Sequence, residues 1–195
     1  MKKIQGIIII LACLLVFMPG QSFALINMEV FTGSSFEGRV AGLEAEDDVS
    51  GMNYGFRFNA LYRIPVFDFG LGGFMQGSPL TYEMKGETYK LNKLTLGIDS
   101  FARFKPEIAP VYPYIRAGLA IYDKSETTMV NSDDISITEF NFRASYYGLG
   151  VSYPLVPMPV IDVHLFMEYL YDISKVAKDN ELRCHKLNIG LFMSI

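Results

Sequence analysis

Lys186-Leu187-Asn188-Ile189-Gly190-Leu191-Phe192-Met193-Ser194-Ile195, the last ten residues, alternate without a break. Leu187, Ile189, Leu191, Met193 and Ile195 share one parity; Lys186, Asn188, Gly190, Phe192 and Ser194 share the other. A period of two puts the two sets on opposite faces of an extended strand. A helix would need its apolar residues at a spacing near 3.6.

The same beat recurs upstream. Met52, Tyr54, Phe56, Phe58, Ala60 and Tyr62 alternate with Asn53, Gly55, Arg57, Asn59 and Arg63. Phe67, Phe69 and Leu71 alternate with Asp68, Gly70 and Gly72, and Leu94, Leu96, Ile98 and Ala102 with Thr95, Gly97, Asp99 and Arg103. Ile115, Ala117, Leu119 and Ile121 alternate with Arg116 and Gly118; Leu149, Val151 and Tyr153 with Gly148, Gly150 and Ser152. Ile161 to Tyr171 carries the pattern against His164, Phe166 and Glu168, and a weaker first segment sets Ile26, Met28 and Val30 against Asn27 and Glu29. Counting the C-terminal segment, the spacing predicts eight strands of the nine to eleven residues that a tilted strand needs to cross a bilayer.

Short Pro-containing turns join alternate pairs: Arg63-Ile64-Pro65-Val66, Lys105 to Pro110, and Pro154 to Pro159. Longer polar segments join the others, at 34–50, 77–89, 123–139 and 174–183. Short turns at one end and long loops at the other match an up-and-down transmembrane barrel, with both termini on the short-turn side. A soluble eight-stranded barrel would show the same alternation with its apolar face inward. Two features favour an apolar face turned to lipid. The polar face is rich in glycine and carries charges of both signs, as a narrow salt-bridged lumen would. The apolar face carries Tyr62, Tyr153, Tyr169 and Tyr171 near strand ends, as an interfacial aromatic girdle would. The expected fold is all-β: an eight-stranded antiparallel up-and-down transmembrane barrel over residues 25–195.

Residues 1–24 read as a secretory signal peptide. Lys2 and Lys3 precede the apolar run Ile7–Met18, which is too short for a membrane-spanning helix, and Ser22-Phe23-Ala24 supplies a small-x-small cleavage site. Cys13 lies inside this run. Its removal leaves Cys184 as a single thiol, so no intramolecular disulfide is expected. The net charge of −4 and the lack of a basic patch argue against nucleic acid as a partner.

The terminal stretch resembles the C-terminal insertion signal of outer-membrane barrels, with Asn188, Gly190, Met193 and Ile195 at its marked positions and Ile195 where that signal usually ends in Phe. Pro113-Tyr114-Ile115-Arg116-Ala117-Gly118-Leu119, Tyr147-Gly148-Leu149-Gly150-Val151-Ser152-Tyr153 and Met167-Glu168-Tyr169-Leu170-Tyr171 are similar to strands of the OmpA/OmpX-type barrels. The resemblance implies an integral protein of the cell outer membrane, monomeric, exported to the periplasm and inserted by the barrel-assembly machinery. It also implies outer-membrane lipid and lipopolysaccharide as surroundings. No peptidoglycan-binding domain is expected after the barrel.

Inside eight strands there is room only for side chains. Arg57, Arg103 and Arg116 against Asp99 and Glu168 are therefore expected to form a buried ionic network that plugs the lumen; a gated narrow pore for small or hydrophobic solutes is the competing reading. Some eight-stranded outer-membrane barrels modify lipid A, with a lipid A deacylase-like His and Ser two residues apart on one face. Here His164 is followed at that spacing by Phe166 and His185 by Leu187, so no catalytic residues and no enzyme are expected. The acidic runs Glu44-Ala45-Glu46-Asp47-Asp48 and Asp133-Asp134 lack the spacing of an EF-hand, so neither a metal nor a cofactor is expected. The expected role is structural or adhesive, with an extracellular ligand met through four loops.

Overall fold

A computed structural model describes residues 25–41, 49–84, 87–129, 135–138, 145–157, 161–177 and 180–195. The signal-peptide reading and both acidic runs fall outside these residues. The described strands are β1 Leu25–Ala41, β2 Val49–Ile64, β3 Phe67–Met84, β4 Glu87–Phe104, β5 Tyr112–Met129, the short β6 Ile135–Thr138, β7 Ser145–Pro157, β8 Asp162–Ala177 and β9 Asn180–Ser194. Every pairing is antiparallel. Eight of the strands close a barrel in the order β1-β2-β3-β4-β5-β7-β8-β9 and back to β1. β6 stands outside that ring, paired with the outer end of β5 over Ser125–Thr128.

The seam is made by the first and last described strands. β9 pairs with β1 from Asn27↔Ser194 outward to Ala41↔Glu181, while its other edge pairs with β8. Ile26 and Ile195 exchange both backbone hydrogen bonds at 2.9 Å, so the last residue closes the ring. Every barrel strand is thereby paired on both edges, the condition for backbone in a hydrocarbon layer.

The faces fall as the alternation predicts. Val30, Phe58, Leu71, Met75, Ile98, Ile115, Leu119, Leu149, Met167, Ile189 and Leu191 are exposed on the outer wall, with Ile115 at 66% and Leu149 at 61%. Arg57, Asp99, Glu168, Lys186 and Asn188 are buried inside. A water-facing barrel would be the reverse. This wall is apolar outward, so the lipocalin-like alternative is excluded.

Two expectations are corrected. The segments 77–89 and 174–183 are not loops: β3 and β4 stay paired to Met84↔Glu87, and β8 and β9 to Ala177↔Asn180. Strands of 16 to 18 residues on this side exceed what a bilayer needs. The polar patterning there marks where the sheet leaves the membrane, not where it ends. Second, β5 continues to Met129, into the segment 123–139 read as a loop, and its alternation changes parity on the way. Gly97 faces Ala120 but Leu96 faces Tyr122, so Ile121 is bulged out and Asp123 and Ser125 turn inward.

A second bulge sits in β1 at Glu37, where the registers with both β2 and β9 slip. Glu37 has φ of 49°, a left-handed conformation that suits glycine. Glu37→Gly is expected to stabilise the barrel by about 1 kcal/mol, read as a higher urea midpoint of the refolded protein.

Candidate functional site

The lumen is stacked in layers, and the inward residues of β9 mark them from the outside in: Leu182, Cys184, Lys186, Asn188, Gly190, Phe192, Ser194. At the outer end Val49, Leu80, Leu91 and Leu182 form an apolar cap, with Tyr82 against it. Beneath the cap lies a compact ionic layer. Asp172 Oδ2 accepts from Lys186 Nζ at 2.5 Å and from Lys93 Nζ at 3.1 Å, Lys93 also donates to Ser174, and Asp123 stands 3.8 Å from Lys93. Phe74, Tyr146 and Leu170 make the next apolar layer, with Phe74 and Tyr146 edge to face at 5.0 Å.

The central network follows. Arg116 reaches three carboxylates: Nη2 is 2.8 Å from both oxygens of Glu29, Nη1 is 2.6 Å from Asp99 Oδ2, and Nε is 3.3 Å from Glu168 Oε2. Arg57 reaches the same three, at 3.1 Å to Glu29, 2.6 Å to Glu168 and 3.7 Å to Asp99. Tyr114 and Tyr146 hydroxyls donate to Glu168 and Asp99, each at 3.1 Å. Asn188 Nδ2 donates to Glu168 Oε1 at 2.9 Å while its carbonyl oxygen accepts from Asn53. The Arg57 guanidinium also lies 4.0 Å over the Phe31 ring. These ties join β1, β2, β4, β5, β7, β8 and β9 across the interior.

Below it Phe31, Tyr114, Phe166 and Phe192 form an aromatic layer. At the inner mouth, Asp68 gathers Arg103 at 2.5 Å and Lys105 at 2.7 Å, and Arg63 pairs with Asp162 at 2.9 Å. His164 stacks on Phe192 with ring centroids 4.2 Å apart. A cavity of about 10 Å³ lies between Glu29, Phe101, Arg103, Tyr114, Arg116 and Phe192, room for a single water.

The inner-face glycines explain how so many rings fit. A Cβ on Gly70 would stand 2.1 Å from the Phe101 ring, and one on Gly118 would stand 2.3 Å from the Tyr146 ring. Both glycines are beds for an aromatic ring from a neighbouring strand.

Of the five residues expected in one network, the fold brings together Arg57, Asp99, Arg116 and Glu168. Arg103 stands apart, paired with Asp68 at the mouth. The spacing missed Glu29, although it sits on the right parity; β1 was the weakest strand in the sequence. It also missed the layer of Lys93, Asp123, Asp172 and Lys186: Asp172 and Lys186 stand on the polar parity at the ends of their segments, and Lys93 and Asp123 lie where the alternation gives way to polar sequence. Asn188, chosen as part of an insertion signal, is a lumen residue bonded to Glu168. Gly190 lies under the Phe166 ring, and Met193 and Ile195 share the outward parity. Among the described residues, no group of His, Cys, Asp and Glu is arranged to hold a metal ion. Cys184 is buried and free.

His185 is on the outer wall, not in the lumen. Its Nδ1 is hydrogen-bonded to the Tyr169 hydroxyl, and its ring packs with Phe36 at 6.0 Å and Tyr171 at 5.1 Å. Together with Tyr147, 5.6 Å from Tyr171, these rings make an aromatic cluster at the outer end of the apolar wall, the position of an interfacial girdle.

No protein-family model matches the chain, and no curated protein matches it. Solved structures do. Neisserial surface protein A matches with a TM-score of 0.53 and 20% identity over 86% of this chain and 95% of that one. The fold is that of an outer-membrane β-barrel. Weaker likenesses include the N-terminal β-barrel domain of OprF from Pseudomonas aeruginosa (TM-score 0.45, 12% identity, 89% of this chain and 100% of that one). Another is Ail, the attachment invasion locus protein of Yersinia pestis (TM-score 0.39, 15% identity, 89% of this chain and 99% of that one).

One expectation is corrected by the same comparison. The sequence reading took the chain to be without catalytic activity. The structures that match include the outer membrane protease OmpT from Escherichia coli, at a TM-score of 0.49 and 11% identity over 91% of this chain and 99% of that one. The likeness concerns the fold and assigns no reaction here.

Proposed function

We propose that this chain is an OmpA/OmpX-type barrel with a plugged lumen that presents its protruding hairpins at the cell surface as an adhesion-like interaction platform. The observation that carries this is the layered interior: an apolar cap, three ionic layers, one apolar layer and one aromatic layer occupy the bore from Leu182 to Arg63. Among the described residues this filling supports a closed bore, because each inward Arg and Lys is held by carboxylates on other strands. The extension of β3–β4 and β8–β9 past the length a bilayer requires gives the outer end a rigid platform.

In this reading residues 1–24 direct export to the periplasm, and the Asn188, Gly190, Met193 and Ile195 stretch is read by the barrel-assembly machinery. The barrel then sits as a monomer among outer-membrane lipid and lipopolysaccharide, and an extracellular ligand meets the hairpin tips. Planar-bilayer recording of the refolded protein tests the plug. The expected trace is flat at moderate voltage, with steps appearing when Arg57 and Arg116 are both replaced by alanine; regular steps from the wild-type chain would overturn it. Binding of expressing cells to immobilised host matrix, compared with cells whose β3–β4 and β8–β9 hairpins are shortened at their outer ends, tests the surface role. Equal binding by both would overturn that half.

A further inference from the structure

The outer wall ends in a pair of like charges. Arg39 of β1 and Arg183 of β9 are register partners across the seam, and both side chains point outward, since Gly38 and Cys184 point in. Like charges set directly opposite on neighbouring strands destabilise a sheet. Arg183 is tied by Nε and Nη2 to Glu181, at 3.3 and 3.0 Å, and its side chain stays 54% exposed. Arg39 has no ion-pair partner among the described residues. The three side chains leave one positive charge uncompensated.

The height of this pair is set by what lies below it. On β9 the outward residues under Arg183 are His185, then Leu187, Ile189, Leu191, Met193 and Ile195, an apolar run nine residues long. On β1 they are Phe36, Ser34, Thr32, Val30, Met28 and Ile26. Nine to eleven tilted residues span the hydrocarbon. The arginines therefore stand one step above the Phe36, His185, Tyr169 and Tyr171 cluster, at the level of the outer-leaflet headgroups. Guanidinium groups take phosphate oxygens in bidentate pairs, and two of them side by side match one phosphate better than either matches water.

We propose that Arg39 and Arg183 form a binding site for a phosphorylated headgroup of an outer-leaflet lipid, with the aromatic cluster beneath packing on its acyl chains and Glu181 setting its strength. The proposal rests on the outer-membrane placement of the barrel. The phosphate relieves the repulsion between the two arginines and fixes one lipid across the β1–β9 seam.

The test uses the refolded barrel in phosphatidylcholine nanodiscs titrated with bis-phosphorylated lipid A, with affinity read from the lipid-dependent rise in unfolding temperature. Removing both arginines, as Arg39→Gln with Arg183→Gln, is expected to weaken binding about twenty-five-fold, taking about fivefold per basic side chain at an anionic surface. Glu181→Gln is expected to tighten it, an outcome that a misfolded variant cannot give. Lys90→Gln with Lys124→Gln, on the far side of the barrel, is expected to leave it unchanged. Equal affinity of wild type and the double arginine variant, equal affinity for dephosphorylated lipid A, or the same stabilisation by millimolar inorganic phosphate alone would each overturn the site. Failure of the wild type to show any heat-modifiable band would instead remove the barrel reading on which the site rests.

Discussion

Arg116→Met is expected to destabilise the barrel by about 3–5 kcal/mol, the cost of stripping a buried carboxylate set of its cation. The central network holds three carboxylates, Glu29, Asp99 and Glu168, against two guanidiniums, Arg57 and Arg116, so it already carries one negative charge in excess. Losing Arg116 doubles that excess and leaves Asp99 with Arg57 at 3.7 Å and the Tyr146 hydroxyl. Losing a carboxylate does the opposite. Asp99→Asn removes the excess charge and keeps an acceptor for Tyr146, so it is expected to cost less than half as much. Urea unfolding of the refolded proteins in lipid vesicles, followed by the shift between folded and unfolded bands on unheated gels, measures both. A larger cost for Asp99→Asn than for Arg116→Met would refute this charge count.

Leu149→Arg is expected to cost about 2–4 kcal/mol in a bilayer and nothing comparable in a water-facing barrel. Leu149 is among the most exposed side chains of the outer wall and lies in the middle of β7, between Tyr147 and Tyr153. An arginine there touches no lumen residue, so any loss reports the medium outside the wall. Arginine at Tyr153, nearer the end of the apolar band, is expected to cost under about 1 kcal/mol, because depth decides the penalty. The same vesicle titration reads both. Equal costs at the two depths would mean that hydrocarbon does not surround this band.

The strands and their faces were legible because the bilayer enforces a binary code at every second residue. The C-terminal strand shows it best: each outward position from Leu187 to Ile195 is apolar. The code fails where another constraint takes over. Past the headgroups both faces of a strand are free to be polar, so the outer parts of β3, β4, β8 and β9 looked like loops. The parity of β5 changes after Ile121 because a bulge inserts one residue, and nothing in its neighbours signals it. The lumen accepts rings as well as charges, so Phe74, Phe101, Phe166 and Phe192 sit on the face expected to be polar. The partners of Phe74, Phe101 and Phe166 are Gly97, Gly70 and Gly190, glycines that mark a narrow bore in the sequence but not the beds of particular rings. Arg57, Asp99, Arg116 and Glu168 were found because charge on a strand otherwise apolar on its other face has few explanations. Glu29 was missed because β1 alternates weakly, with Thr32 and Ser34 on its outer face.

The seam between β1 and β9 has a consequence for how the molecule comes into being. Asn27 and Ser194 are neighbours in space and 167 residues apart along the chain. Until the last strand arrives, β1 and β8 are both open edges, each a template for any other extended chain. The ring cannot close on a growing polypeptide, and bringing its ends together carries the entropy of the longest loop in the molecule. A truncation of even the final hairpin would therefore leave a sheet with two sticky borders rather than a smaller barrel. In kinetic terms the last strand acts as a latch, and whatever holds the chain before it fastens must shield both borders at once.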